Sequence, residues 1–198
     1  MKRRTRNAII LALCLILIAG SVAFLRLRGG VGARPASDFD LPERVVAYRQ
    51  DDPAWASDFL GDSVYTMKSS GCLVSSIASA FSMGGNTVTP GELNALFSDN
   101  AVYDNQGNMQ WDALRALDGF QVKVYDRPSQ AAIDECLADG HYPIVRVRMY
   151  GIGNIHYVLI LGTEAGKYVC MDPLEDQLTT LSRYWNRIYA VRCVWKDR

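Results

Sequence analysis

The feature that most restricts how this chain can fold is an uncharged apolar run of 18 residues at positions 8–25. A helix of this length spans about 27 Å, close to the ~30 Å hydrocarbon core of a bilayer. The basic sequence MKRRTRN precedes the run, whereas only Arg26 and Arg28 follow it closely. We therefore predict a single membrane helix with a cytoplasmic N-terminus and an extracytoplasmic C-terminal domain.

Two fates of this segment are compatible with its sequence. Ser21-Val22-Ala23 offers a small-x-small site at which a signal peptidase could cut. A secretory signal has a shorter apolar stretch, roughly 7 to 15 residues, and here Phe24 and Leu25 continue the run past that site. We favour an uncleaved anchor over residues 1–27, with a secreted protein as the alternative.

The net charge of zero conceals an uneven distribution along the chain. Residues 1–34 hold seven Lys and Arg and no acidic residue, and subtracting these from the total leaves 14 basic against 21 acidic residues, a net charge of −7. A mildly acidic body argues against nucleic acid as a partner. The remaining length suits one globular domain.

The sequence after the membrane helix changes character twice. Residues 28–44, RGGVGARPASDFDLPER, are rich in Gly, Pro and charge and predict a flexible tether, so the folded domain is expected over residues 45–198. Helical patterns come first and strand patterns follow, which predicts an α+β fold with an antiparallel sheet. We predict helices over 73–83, 89–98, 109–117 and 129–139, and strands over 121–125, 142–150, 155–163, 167–172 and 189–195.

The cysteines of the domain show no metal-binding pattern, because no C-x-x-C pair is present. No metal or cofactor is therefore expected. Cys136, Cys170 and Cys193 each lie in an amphipathic or apolar segment, and we favour buried free thiols for them. One disulfide among the three is the alternative.

Cys72 stands apart from the other cysteines because Ser70 and Gly71 place it at the start of an apolar helix. The unpaired amides and the dipole at a helix N-terminus favour a thiolate there. A base for this thiol must come from two histidines. His141 lies in a turn, where a structural role is expected, whereas His156 opens the most apolar strand of the chain.

The relation between His156 and Asp172 depends on the hairpin between them. If residues 164–166 form a three-residue loop, Thr163 faces Lys167, and His156 and Asp172 point to the same face of the sheet. A carboxylate so placed can orient the imidazole. A two-residue loop would shift the register by one residue and send the two side chains to opposite faces.

A side-chain amide upstream completes a set of four. Gln50 precedes the helix of Cys72 and is a candidate donor to an oxyanion. Together these segments resemble the C39-like cysteine peptidases of the papain-like fold, and the resemblance covers nearly all of residues 45–198. It rests on the ordered motifs Gln50-x-Asp-Pro-x-Trp55, Ser70-Gly71-Cys72, His156-Tyr-Val and Met171-Asp172-Pro173.

The resemblance implies a role for each of the four residues and a peptide or protein substrate. Cys72 would be the nucleophile, His156 the general base and Asp172 the residue that orients it. The amide of Gln50 and the backbone N–H of Cys72 would bind the oxyanion. Many family members have Gly after the cysteine and before the histidine, where Leu73 and Ile155 stand here.

Two other functions remain compatible with the sequence. The domain could be a papain-like module that binds peptides without cleaving them. It could also be a peptidoglycan-directed amide hydrolase that uses Cys and His on a related fold, although no wall-binding repeat is evident.

Overall fold

The computed structural model describes residues 2–197, which form an N-terminal apolar helix and an α+β domain. The helices are α1 (Lys2–Leu27), α2 (Met67–Ser70), α3 (Cys72–Met83), α4 (Pro90–Asp99), α5 (Trp111–Arg115) and α6 (Gln130–Ala138). The strands are β1 (Val31–Gly32), β2 (Phe120–Val124), β3 (Pro143–Arg148), β4 (Ile155–Glu164), β5 (Lys167–Met171), β6 (Thr179–Thr180), β7 (Arg187–Ile188) and β8 (Ala190–Lys196).

The membrane-targeting helix predicted from the sequence is present as α1. Its stretch Asn7–Leu27 has a mean hydropathy of 2.9 and is long enough to cross a membrane, and none of its most apolar window is buried by the rest of the chain. A membrane anchor and a signal sequence share this length and composition.

The segment 28–44 is not the flexible tether that its composition predicts. β1 pairs with β7, and the buried Ala33 donates its N–H to the carbonyl of Asn186 at 2.8 Å. Phe39 exchanges hydrogen bonds with Thr163 on β4. A side chain on Gly162 would meet the carbonyl oxygen of Asp40 at 2.7 Å, so glycine there permits the close approach. The folded unit therefore begins before residue 45.

A six-stranded antiparallel sheet forms the centre of the domain, with strand order β2-β8-β3-β4-β5-β6. This confirms the α+β class. The last strand does not extend a simple meander, because β8 inserts between β2 and β3. The burial of β8 explains this position, because an edge strand would expose its side chains. Four of its seven residues are buried, Ala190, Val191, Cys193 and Val194, and Arg192 and Trp195 are half-buried.

Two apolar clusters lie on opposite faces of the sheet. On one face Ile144 and Leu159 pack against Ile77 of α3, and on the other Val145 and Val158 pack in a cluster that includes Ile133 of α6. Residues 158–161 of β4 are fully buried, as the apolar character of both its faces predicts. The strand is thus fixed by packing on both sides.

Local helix signals agree closely with the structure. Thr89 caps α4 through a capping box with Glu92, and Ser129 caps α6. The helix expected over 109–117 is shorter, spanning only Trp111–Arg115. The short helix α2 was not predicted, although Thr66 and Ser69 form a second capping box around it.

Two of the cysteines form a disulfide, which corrects the favoured expectation of free thiols. Cys136 on α6 is bonded to Cys193 on β8, with their Cα atoms 6.1 Å apart and a sequence separation of 57. Cys170 is free and buried, as expected. The pairing depends on how α6 packs across the sheet, which cysteine spacing does not encode.

Candidate active site

A break between two helices sets the position of Cys72. The four-residue helix α2 ends at Ser70, Gly71 is the single residue between the helices, and Cys72 is the first residue of α3. A Cβ atom on Gly71 would lie 2.5 Å from the carbonyl oxygen of Met67, so only glycine fits this junction without displacement. The Cys72 side chain is largely buried but reaches the wall of a cleft.

His156 and Asp172 form a buried pair. The imidazole Nε2 lies 2.6 Å from Asp172 Oδ1, and the two residues are only 3% and 1% exposed. An ionised carboxylate can only accept hydrogen bonds, so Nε2 carries the proton. Asp172 thereby fixes both the tautomer and the ring orientation of His156.

The carboxylate of Asp172 is held by two further donors. The backbone N–H of Leu174 donates to Oδ1 at 2.9 Å, and the hydroxyl of Tyr184 donates to Oδ2. Burial alone would raise the pKa of Asp172, but the hydrogen bonds from His156, Tyr184 and Leu174 outweigh it and hold that pKa below its usual range. Asp172 is therefore an anion at neutral pH.

The hairpin brings His156 and Asp172 to one face by a different route from the one predicted. The turn has two residues, Ala165 and Gly166, both at positive φ, and Glu164 pairs with Lys167. The expected three-residue loop is therefore wrong. A β-bulge between Ile160 and Gly162 shifts the register by one residue, so that Leu159 pairs with Met171.

The bulge restores the alignment that the site needs. Because Leu159 pairs with Met171, the next position places Val158 opposite Asp172, and His156 lies on the same face as Val158. Without the bulge, a two-residue turn would separate the two side chains across the sheet. The shorter turn shifts the register by one residue and the bulge shifts it back, so the two changes cancel at His156 and Asp172.

His156 and Cys72 line the same cleft, and Cys72 lies close enough to influence the pKa of the imidazole. Burial lowers the pKa of His156, but the hydrogen bond to Asp172 and the neighbouring Cys72 raise it, and the result is about 9. Since Asp172 occupies Nε2, Nδ1 is the ring nitrogen that remains for the sulfur. A protonated imidazole beside a thiol is the arrangement that favours a thiolate nucleophile.

Gln50 joins the two halves of the site. Its backbone N–H donates to the carbonyl of Pro173 at 2.9 Å, and its side-chain Nε2 donates to the carbonyl of Lys68 on α2 at 2.7 Å. One of the two amide protons is thus used within the protein. The second remains for a ligand, so Gln50 can supply one donor to an oxyanion.

The motif that follows Gln50 explains how its backbone is held. The indole Nε1 of Trp55 donates to the carbonyl of Arg49 at 2.9 Å, and the Trp55 ring meets Tyr48 edge to face. Asp52 stabilises the turn between Gln50 and Trp55, because its side chain accepts a hydrogen bond from the N–H of Ala54. Trp55 therefore anchors the backbone next to Gln50 and does not itself line the cleft.

A cleft of about 580 Å³ opens beside these residues. Gln50, Cys72 and His156 line it, whereas Asp172 lies behind the imidazole. Leu73 and Ile155, which depart from the family pattern, also line it. The remaining walls combine aliphatic, aromatic, polar and basic side chains, among them Leu60, Tyr65, Tyr103, Asn108, Met109, Trp111, Arg146, Tyr157 and Arg192.

Sequence reasoning missed Tyr184, which binds Asp172 from twelve residues further along the chain. A short 3-10 helix, Leu181–Tyr184, presents this hydroxyl, and no motif in the sequence marks it. The other histidine, His141, stacks on Trp195 with ring centroids 4.4 Å apart and does not line the cleft.

Searches against protein-family models, curated proteins and solved structures find no match for this chain. The arrangement of Gln50, Cys72 and His156 around one cleft, with Asp172 bonded to His156, is therefore the basis on which a function is inferred.

Proposed function

We propose that this chain is a membrane-anchored cysteine peptidase, or a closely related amide hydrolase, with a papain-like domain on the extracytoplasmic side. The observation that carries the proposal is that Cys72 lines the same open cleft as an imidazole that Asp172 orients, close enough to raise the pKa of that imidazole. These are the three parts that thiol-based acyl transfer requires: a nucleophile, a base and an orienting group.

The chemistry follows from the positions of these groups. The sulfur of Cys72 attacks the carbonyl carbon of the scissile amide, and the negative charge that develops on the oxygen is met by N–H donors, including the free proton of the Gln50 amide. His156 then gives its proton to the leaving amine, which departs and leaves a thioester. Water, deprotonated by His156, hydrolyses the thioester and releases the acid.

A purely structural role explains this arrangement less well. Burying a charged pair such as His156 and Asp172 costs several kcal/mol per ion before their attraction offsets it, so an apolar pair would serve packing as well or better. A structural pair also has no need of an adjacent cleft or of a thiol nearby. Both features are present here.

Two observations support the extracytoplasmic location. Disulfides persist in oxidising compartments, and Cys136 and Cys193 are bonded. The basic cluster MKRRTR before the apolar helix favours retention of that end in the cytoplasm.

The first experiment measures nucleophilicity in the full-length chain in detergent. Iodoacetamide should alkylate Cys72 at least about tenfold faster than Cys170, measured by mass spectrometry of the peptides that contain them. The variant His156→Gln should remove this advantage, and His141→Gln, which changes the histidine outside the cleft, should keep it. Equal alkylation of both thiols in the unmodified chain would refute the proposal.

A second experiment separates the possible functions. The full-length protein and its Cys72→Ser variant are incubated with a peptide library and with cell-wall fragments. Cleavage of peptides that is lost in the variant supports a peptidase, and release of wall peptides supports a peptidoglycan amide hydrolase. Binding without cleavage in either case would indicate a peptide-binding module instead.

A further inference from the structure

Two arginines lie side by side in the cleft. Arg146 on β3 pairs with Ala190 and Arg192 on β8 pairs with Ile144, so the two arginines are diagonal neighbours on one face of the sheet. Both line the cleft that Cys72 lines. Like charges at this spacing repel each other, so an arrangement of this kind calls for an anion or for a compensating carboxylate.

No compensating carboxylate is present in the part of the chain that the structure describes. Among residues 2–197, neither Arg146 nor Arg192 forms a salt bridge. The Nε atoms of both are buried and have no hydrogen-bond partner among those residues. Burial and the neighbouring Arg146 lower the pKa of Arg192, which reflects the energetic cost of placing two cations together.

The two guanidinium groups are nevertheless held in place. Arg192 lies over the ring of Trp111, 5.2 Å from its centroid, and donates to the carbonyl of Val191 at 2.8 Å. Arg146 donates to the carbonyl of Tyr189 at 3.3 Å. Each contact uses one of the five N–H donors of a guanidinium, so most donors remain for a ligand.

The pair is close to the nucleophile. Tyr157 pairs with Arg146 across β3 and β4 and lines the same cleft as the two arginines and Cys72. Burial and Cys72 raise the pKa of Tyr157, whereas Arg146 and Arg192 lower it, so its phenol lies near both the arginine pair and the sulfur. A group bound by the arginines would belong to the same bound molecule as an amide placed at Cys72.

We propose that Arg146 and Arg192, with the hydroxyl of Tyr157, form a subsite that binds a carboxylate group of the substrate next to the bond that Cys72 attacks. Planar, bidentate guanidinium donors match the two oxygens of a carboxylate. The carboxylate belongs either to the C-terminus of a peptide or to an acidic side chain. This inference identifies the substrate class of the proposed hydrolase and therefore rests on that function, but binding can be measured without turnover.

The test uses the full-length Cys72→Ser variant in detergent, so that no probe is consumed. Binding of acetyl-Ala-Ala with a free carboxylate is compared by calorimetry with binding of the same dipeptide as its amide. We expect the acid to bind roughly tenfold or more tightly than the amide, because it gains charge-assisted hydrogen bonds. Replacing both arginines, Arg146→Gln and Arg192→Gln, should abolish this preference.

A matched control removes one positive charge elsewhere. Arg115→Gln changes a half-exposed arginine on α5 that pairs with Asp112, and it should leave the preference intact. If the double variant folds poorly, the salt dependence of binding to the Cys72→Ser protein with both arginines present tests the inference. Raising the salt concentration from 50 to 500 mM should weaken binding of the acid and not of the amide.

The source of the carboxylate is distinguished with two amidated tripeptides, acetyl-Ala-Glu-Ala and acetyl-Ala-Gln-Ala. A preference for the Glu peptide points to an acidic side chain, and a preference confined to the free acid points to a C-terminus. Equal binding of the acid and the amide together with equal binding of the two tripeptides would overturn the inference, and so would a preference that survives loss of both arginines. A preference for acid in a protein whose unmodified form cleaves nothing would instead contradict only the proposed hydrolase function.

Discussion

Replacing Tyr184 with Phe should destabilise the protein through a single oxygen atom. The Tyr184 hydroxyl donates to Oδ2 of Asp172, and no other donor reaches that oxygen from the described residues. Asp172 is 1% exposed, so water does not replace the lost donor. The substitution leaves half of a buried carboxylate without a hydrogen bond while changing the packing volume by only one oxygen.

The size of the effect follows from the charge on the acceptor. A hydrogen bond to a charged group contributes about 1.5 to 3 kcal/mol to the free energy of unfolding. For a domain of this size each kcal/mol corresponds to about 2 to 4 °C in Tm, so a decrease of roughly 3 to 12 °C is expected. The pKa of Asp172 should also rise, because one of the hydrogen bonds that lowers it is gone.

The assay is thermal unfolding of the full-length chain in detergent, followed by circular dichroism at pH 7 and repeated at lower pH. A carboxylate with a lowered pKa contributes stability above its unfolded pKa and loses it as the pH falls through the folded pKa. Tyr184→Phe should therefore begin to lose stability at a higher pH than the unmodified protein does. The added acid sensitivity distinguishes a lost carboxylate contact from a general loss of packing.

A matched variant is available in Tyr168→Phe. Its hydroxyl binds Asp134, whose carboxylate is only half-buried and can be rehydrated when the donor is removed. The loss of stability should be clearly smaller than for Tyr184→Phe. Equal Tm changes in the two variants would show that the hydrogen bond to the buried Asp172 contributes no more stability than the one to the half-buried Asp134, and would refute the reasoning.

Three further predictions concern other parts of the structure. Folding raises the pKa of His156 from 6.5 to about 9, so its contribution to stability is present below pH 6.5 and is lost as the pH rises through 9. Chemical denaturation should therefore show a decrease in the free energy of unfolding on the order of 3 kcal/mol at alkaline pH. This decrease should be absent in His156→Gln. Cys136→Ala removes the only disulfide among the described residues and should cost about 2 to 4 kcal/mol in denaturant unfolding, a loss that reductant reproduces in the unmodified chain. Gly71→Ala should lower both Tm and the alkylation rate of Cys72, whereas Gly32→Ala, where a Cβ atom meets no neighbour within 4 Å, should change neither.

Signals that act within a few residues predicted the structure well. The Thr89 capping box and the Ser129 cap place two helices within one or two residues of their observed starts, because both motifs are complete within a single turn. A run of residues that is apolar on both alternating faces likewise placed the buried strand β4. Such features require no knowledge of the tertiary fold.

Features that depend on distant parts of the chain were missed or reached by the wrong route. The disulfide between Cys136 and Cys193, and the hydroxyl of Tyr184 on Asp172, both require knowing how segments pack across the sheet. The attachment of residues 28–44 was hidden for the same reason, since their composition resembles that of a linker. The four candidate site residues could be named because their order along the chain is itself informative.

The β-bulge before Gly162 gives the His156–Asp172 pair a role in folding as well as in the site. A slip of one residue between β4 and β5 would leave a buried carboxylate and a buried imidazole on opposite faces, each without its partner, and each such loss costs several kcal/mol. The alternative alignment is therefore penalised most strongly at the positions that matter for the proposed chemistry. The polar pair therefore favours the observed register of the hairpin, and a misaligned chain would lose stability together with the proposed site.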